Sequence, residues 1–418
     1  MRGSLRIAKI FGIPVQVHWS FTLLFLFVIY FGKSQDASWL RIGVTMIFVT
    51  ALFICVLLHE FGHALSARYY GVDTKDITIL PIGGVARLDK LPEKPFQEFV
   101  VALAGPAVNV VIYGILALFL YIGHSLQFSF GELLSNDSNE LIVDPVIGFI
   151  ATLMQANLML VVFNMIPAFP MDGGRVLRAL LSIPYGRVQA TKVAAFLGQA
   201  IAVGFFIFAF LPAIVYLLIL VIGYFFPENQ AYITLQSWVH WPFQPVLTLI
   251  SGFVFYAART EYKQVKLEGQ LNQFKVSQIM RTTFTSLQSS DPIHTGIQEL
   301  TKGYETNFLV FDSDNILRGV LQEADIMDAM KHRHYDAMIS TYATFDFEKT
   351  TPNASLKDVY EKMYRTGQYI LPVFNDNKKT GILEGDMSQS KNELLGVIDL
   401  TVLEEMMDKK GINTEGGQ

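Results

Sequence analysis

Six stretches of this chain carry no charged side chain over lengths that approach or exceed a bilayer crossing. They are Ile10–Gly32, Ile42–Leu58, Phe99–Gly131, Pro145–Met171, Val193–Pro227 and Asn229–Ala258. A hydrocarbon core of about 30 Å takes roughly 20 helical residues. Backbone groups in lipid must be satisfied within the segment, so such runs fold as helices. The expected fold class is therefore an α-helical polytopic membrane domain. Each of the first four runs fits one spanning helix. The fifth reads as one long helix bent at Pro212 or, alternatively, as a hairpin of two crossings, and the sixth is solidly apolar only over Val246–Ala258.

Composition agrees. Of 418 residues 51% are hydrophobic and 33 are Phe, more apolar than soluble domains. A net charge of -5 argues against a nucleic-acid binder, which would be basic. Cys55 is the single cysteine, so no intrachain disulfide forms, and it reads as a small packing residue. Arg2, Arg6 and Lys9 precede an apolar stretch without a small-residue cleavage site, so a cleaved signal peptide is not expected.

Basic residues set the orientation. With six single crossings, one side holds Arg2, Arg6, Lys9, Arg68, Lys75, Arg87, Lys90, Lys94, Arg175, Arg178, Arg187, Lys192, Arg259, Lys263 and Lys266, and the other only Lys33 and Arg41. The positive-inside rule then puts both termini in the cytosol of a cell-membrane protein. The segment Phe225–Pro245, with Trp238 and Trp241, becomes an external interfacial loop. After Tyr262 the chain turns polar. Residues 1–265 form the membrane domain, and 276–332 and 341–408 form two soluble modules on the cytosolic side.

The chemistry is announced by His59-Glu60-Phe61-Gly62-His63, which follows directly on a charge-free run. Histidines at i and i+4 share a helix face and can hold one Zn²⁺. Glu60 beside them can serve as general base toward water. Ionisable groups at such depth are costly and mark function. Catalytic zinc takes three protein ligands. The third candidate is Asp172, in Asn164-Met165-Ile166-Pro167-Ala168-Phe169-Pro170-Met171-Asp172-Gly173-Gly174-Arg175. It lies where the fourth apolar run ends, on the same side of the membrane as the histidines. A helix stop and turn is the plain alternative for Asp172-Gly173-Gly174. A gated metal-ion transporter and an inactive scaffold are the rival functions; the first would need acids on both sides of the midplane, and the second sits badly with a complete motif set.

These motifs make the chain resemble the site-2 proteases, intramembrane zinc metalloproteases. The likeness rests on the HExxH at 59–63 and on NxxPxPxxDG as Asn164, Pro167, Pro170, Asp172 and Gly173. It extends to Gly12-Ile13-Pro14-Val15-Gln16-Val17-His18-Trp19, similar to the opening of the branch that carries CBS domains, and to Ala104-Gly105-Pro106-Ala107-Val108-Asn109. The resemblance implies an endopeptidase that cuts single-pass membrane proteins. It implies one Zn²⁺ on His59, His63 and Asp172, catalysis by Glu60, and substrate positioning by Asn164 and by a β element at Gly83 and Gly84. Gly105 and Asn109 read as close helix packing, and His18 as an interfacial histidine.

Residues Val276–Lys331 and Thr341–Asp408 repeat one plan of strand, helix, strand, strand, helix, and resemble a tandem CBS pair. Such pairs commonly sense adenine nucleotides or serve dimerisation and docking. The first copy has Gln322 where the family's ribose-binding pattern places Ser or Thr, but keeps Asp325. The second has Asp399 and Val402 at these positions. An adenine nucleotide is therefore expected only through Asp325, and the Asp399 charge is expected to repel phosphates. The insertion Asn375–Asn392 reads as a mobile loop.

Overall fold

A computed structural model describes residues 3–81, 83–88, 94–125, 145–225, 244–375 and 394–409. The chain divides into two compact units, Met1–Lys263 and Gln264–Gln418.

The first unit opens with strands, not with a spanning helix. Strands β1 (Ser4–Ile10) and β2 (Ile13–His18) form an antiparallel hairpin, turned at Phe11 (φ 50°) and Gly12 (φ 80°). Only then does helix α1 (Phe21–Ser34) begin. The expected single helix over Ile10–Gly32 is thus corrected. Its first third alternates at period two, and Ile13, Val15 and Val17 pack with Ile77, Ile79 and Phe61. Helix α1 has 14 residues, about 21 Å at 1.5 Å per residue.

Helix α2 (Trp39–Tyr69) follows, then strands β3 (Thr74–Leu80) and β4 (Gly83–Leu88). The sheet order is β1-β2-β3-β4, with β2 and β3 parallel and β4 at an edge. Leu80 pairs with Gly83 and Thr78 with Val85 across the β3–β4 turn. Buried Asp76 accepts a 2.8 Å hydrogen bond from Arg87 Nε, which fastens the two strands and holds the Asp76 carboxyl below its ordinary range. One face of the sheet covers Phe61 and Ala64 of α2.

Helices α3 (Pro95–Ser125), α4 (Pro145–Asn164), α5 (Asp172–Tyr185), α6 (Arg187–Phe225) and α7 (Pro245–Leu271) complete the unit and lead into the next. Helix α6 is continuous through Pro212. Four helices among the described residues are long and apolar enough to cross a membrane: Trp39–Tyr69, Pro95–Ile122, Val146–Asn164 and Arg187–Val221. The six-crossing count also needs α1 and α7. The loop carrying Trp238 and Trp241 lies outside the described residues.

The second unit holds β5 (Ser286–Gln288), α8 (Ile293–Thr301), β6 (Phe308–Phe311), β7 (Leu317–Leu321) and α9 (Glu323–Lys331). Strands β5 and β6 are parallel, β6 and β7 antiparallel. The second half has α10 (Leu356–Thr366), antiparallel β8 (Ile370–Phe374) and β9 (Leu394–Asp399), and α11 (Leu400–Lys409). Its opening strand is reduced to one parallel bridge, Thr350 to Val373. Beyond Asn375 the insertion lies outside the described residues.

Candidate metal centre

Helix α2 presents His59 and His63 one turn apart, both 5% exposed. Their rings stand nearly perpendicular, 83° apart. Helix α5 begins at Asp172, directly after an extended Met171. Asp172 Oδ2 lies 3.2 Å from each Nε2, and the two Nε2 atoms lie 3.1 Å apart. Among the described residues this is the one group of three potential ligand side chains whose donor atoms converge.

The outer nitrogens explain the orientation. His63 Nδ1 donates to the Val101 carbonyl at 2.7 Å, and His59 Nδ1 donates to Asn109 Oδ1 at 2.9 Å. Each ring is thereby held with its Nε2 lone pair turned inward, as metal-ligating histidines require. Asn109 Nδ2 donates to Asn157 Oδ1 at 3.1 Å, and Asn157 Nδ2 donates to the Leu153 carbonyl at 2.8 Å and contacts Cys55 Sγ at 3.5 Å. Both amides are fully buried. Asn109 is therefore more than the packing residue it was expected to be, since it orients His59. A lone amide in a charge-free helix was the signal, because it needs a partner there.

Glycines let the pieces meet. A Cβ on Gly62 would stand 2.6 Å from the Ala104 carbonyl oxygen, and one on Gly105 would stand 2.2 Å from His63 Nε2. Gly173 and Gly174 press on the chain at 165–169, where a Cβ would meet the Ile166 oxygen at 2.3 Å and the Ala168 carbonyl carbon at 2.5 Å. Asp172-Gly173-Gly174 thus starts a helix, and the small residues let its first turn lie against the loop that precedes it.

Glu60 lies on the sheet side of the pair. Its Oε2 accepts the Ala86 N–H of β4 at 3.2 Å. A Cβ on Gly84 would stand 2.6 Å from Glu60 Cγ, so Gly84 leaves the carboxylate its path past the strand. Asn164 ends α4, partly buried, and is absent from the polar contacts of the His59–His63–Asp172 group. His18 bonds Ser20 Oγ at 2.7 Å and takes no part either.

In the second unit, Asp325 Oδ2 accepts the Gln322 N–H at 2.9 Å as part of the α9 cap. Burial pushes its carboxyl above the ordinary range. Gln322 Oε1 in turn accepts the Tyr369 N–H at 2.7 Å. A cavity of about 400 Å³ is lined by Asn307, Gln322, Tyr369, Thr401 and Glu404 among others, and Asp325 is not on its wall. Asp399 is 2% exposed and paired with Arg281, which also meets Glu305 at 3.1 Å. Asp399 and Glu305 thus share Arg281, and the group of three keeps a net negative charge.

The sequence profile of peptidase family M50 matches residues 47–211, and that of the CBS domain matches residues 276–332. The zinc metalloprotease MJ0392 of Methanocaldococcus jannaschii is 36% identical over 280 residues, 67% of this chain and 67% of that protein. The putative zinc metalloprotease sll0528 of Synechocystis is 27% identical over 85% of this chain and 86% of its own length. Among solved structures, a site-2 protease from Methanocaldococcus jannaschii is 34% identical, with a TM-score of 0.40, over 62% of this chain and 95% of that one. By the shared family profile and a relative matched over two thirds of both lengths, this chain belongs to peptidase family M50, a metalloprotease with a CBS domain in its second unit.

Proposed function

We propose that the chain is a zinc-dependent intramembrane endopeptidase that cleaves transmembrane segments of single-pass membrane proteins. The observation that carries this is the convergence of His59, His63 and Asp172 at 3.1 to 3.2 Å beside Glu60. The donor set fits zinc: two imidazoles held by their outer nitrogens and one carboxylate, leaving a fourth position open. A bound zinc would polarise the scissile carbonyl and ease deprotonation of the attacking water.

The rest falls to the chain. Glu60 takes the proton from the attacking water and returns it to the leaving amine. Its hydrogen bond from Ala86 aims the carboxylate from the strand side. Edge strand β4, entered through Gly83 and Gly84, can pair with a substrate segment as an added strand, which holds that segment unwound and extended. Asn164 is proposed to hydrogen-bond the substrate backbone. Helix α2, which bears both histidines, carries a long exposed apolar surface, which suits a site reached from lipid. With six crossings both termini and the CBS pair lie in the cytosol of the cell membrane, where the pair would regulate cleavage by binding an adenine nucleotide or by bringing two copies together.

The test is Glu60→Gln in the full chain, reconstituted with a single-pass substrate. Removing the base but no ligand should lower turnover about 10²- to 10⁴-fold while zinc content stays stoichiometric. Turnover equal to the parent would remove Glu60 from the mechanism.

A further inference from the structure

Arg178, one of the basic residues counted on the cytosolic side, is fully buried. Its Nε donates to Glu98 Oε1 of α3 at 2.6 Å, and its Nη2 meets the same oxygen at 2.5 Å. Its Nη1 donates to Glu261 Oε1 of α7 at 2.7 Å. The guanidinium lies over the Phe169 ring, 4.9 Å from its centroid. Glu98 is 4% exposed, so water competes little for the pair.

We infer that Arg178 is a positioning residue for Asp172. It fixes the carboxylate-bearing helix to the same helix that orients both histidines, an assignment resting on the metal site proposed above. Helix α3 supplies the Val101 carbonyl to His63 and Asn109 to His59. Glu98, one turn before Val101, holds Arg178. Arg178 stands about 9 Å along the α5 axis from Asp172, less than two turns of stiff helix. Fixing it therefore fixes how far α5 is advanced and how it is rotated. The glycine contacts at 173 and 174 seat the start of α5 on residues 165–169 but give it no reference to α3. The Glu98–Arg178 pair adds a fixed polar fastening to the packing of α5 on α3, so all three donors are referred to one helix. Glu261 adds a second strut from α7.

The experiment titrates metal-free full-length protein with Co²⁺ and follows its visible absorption, which reports ligand number and geometry. Arg178→Gln and Glu98→Gln should bind cobalt about 10- to 100-fold more weakly, as expected for an outer partner of a metal site, with altered bands. Arg178→Lys keeps the charge without the fork and should recover part of the loss. Folded Glu98→Gln or Arg178→Gln protein with parental affinity and bands would overturn the inference. Should the buried variants fail to fold, Glu261→Gln, at the partly exposed strut, decides: weaker cobalt binding supports the clamp and unchanged binding opposes it. Asp172→Asn separates the two readings. If that change leaves cobalt binding intact, the ligand assignment itself fails; if it weakens binding while the Arg178 set does not, only the clamp fails.

Discussion

Gly105→Ala puts the closest contact in the site to a direct test. The added Cβ would lie 2.2 Å from His63 Nε2 and 2.7 Å from His59 Nε2, where ordinary contact begins near 3.4 Å. Something must move by about 1.2 Å, the difference between 3.4 and 2.2 Å. The backbone of α3 cannot retreat freely, because α4 and α5 pack against it as well as α2. The imidazoles must therefore shift, while ligand distances tolerate only about 0.2 Å. A misplacement near 1 Å costs about 100-fold in a catalytic site. Zinc affinity should fall at least about 100-fold, with peptidase activity falling alongside and restored in part by excess metal. Competition with a chelator of known affinity measures the first, and cleavage of a model single-pass substrate the second. Gly114→Ala, on the same helix with nothing within 4 Å of its Cβ, serves as control and should change neither. A Gly105→Ala protein with parental zinc affinity and turnover would refute the close approach of α3 to the histidines.

Other outcomes follow from the same geometry. Asp172→Ala should lose both zinc and activity, since two histidines hold the ion poorly; stoichiometric zinc in that variant would place the third ligand elsewhere. Reporter fusions after Gly269 and after Gln418 should give cytosolic signal and a fusion near Gln236 should not; an external signal at Gly269 would overturn the six-crossing count. Titration of ATP, ADP and AMP into the full chain by calorimetry should show one site at most, abolished by Asp325→Ala. Two equal sites, or binding untouched by that change, would contradict the assignment, and no binding would favour a docking role for the pair.

What could be read from the sequence follows the cost of burial. Charged and metal-ligating residues beside charge-free runs stand out because lipid penalises them, so His59, Glu60, His63 and Asp172 were legible. The β1–β2 hairpin was not. Ile13, Val15 and Val17 alternate at period two, but inside a continuous apolar run that alternation is drowned, and such a run fits a helix equally well. The Val101 carbonyl is backbone and leaves no mark in a side-chain pattern. The burial of Arg178 left no mark either, because a buried arginine and an exposed one look alike until the partner is known, and Glu98 lies 80 residues away. The partner of Asp399, Arg281, was equally hidden, lying 118 residues off.

The spacing of the three donors also bears on how the protein is made. Asp172 follows His63 by 109 residues and His59 by 113. At roughly 5 to 20 residues per second, a ribosome needs several seconds or more to reach it. By then α3 has been synthesised, and Val101 and Asn109 can already hold the two imidazoles in place. The nascent chain thus carries an oriented but two-donor site until α5 is synthesised. The three-donor site proposed above is complete only once α5 has been delivered.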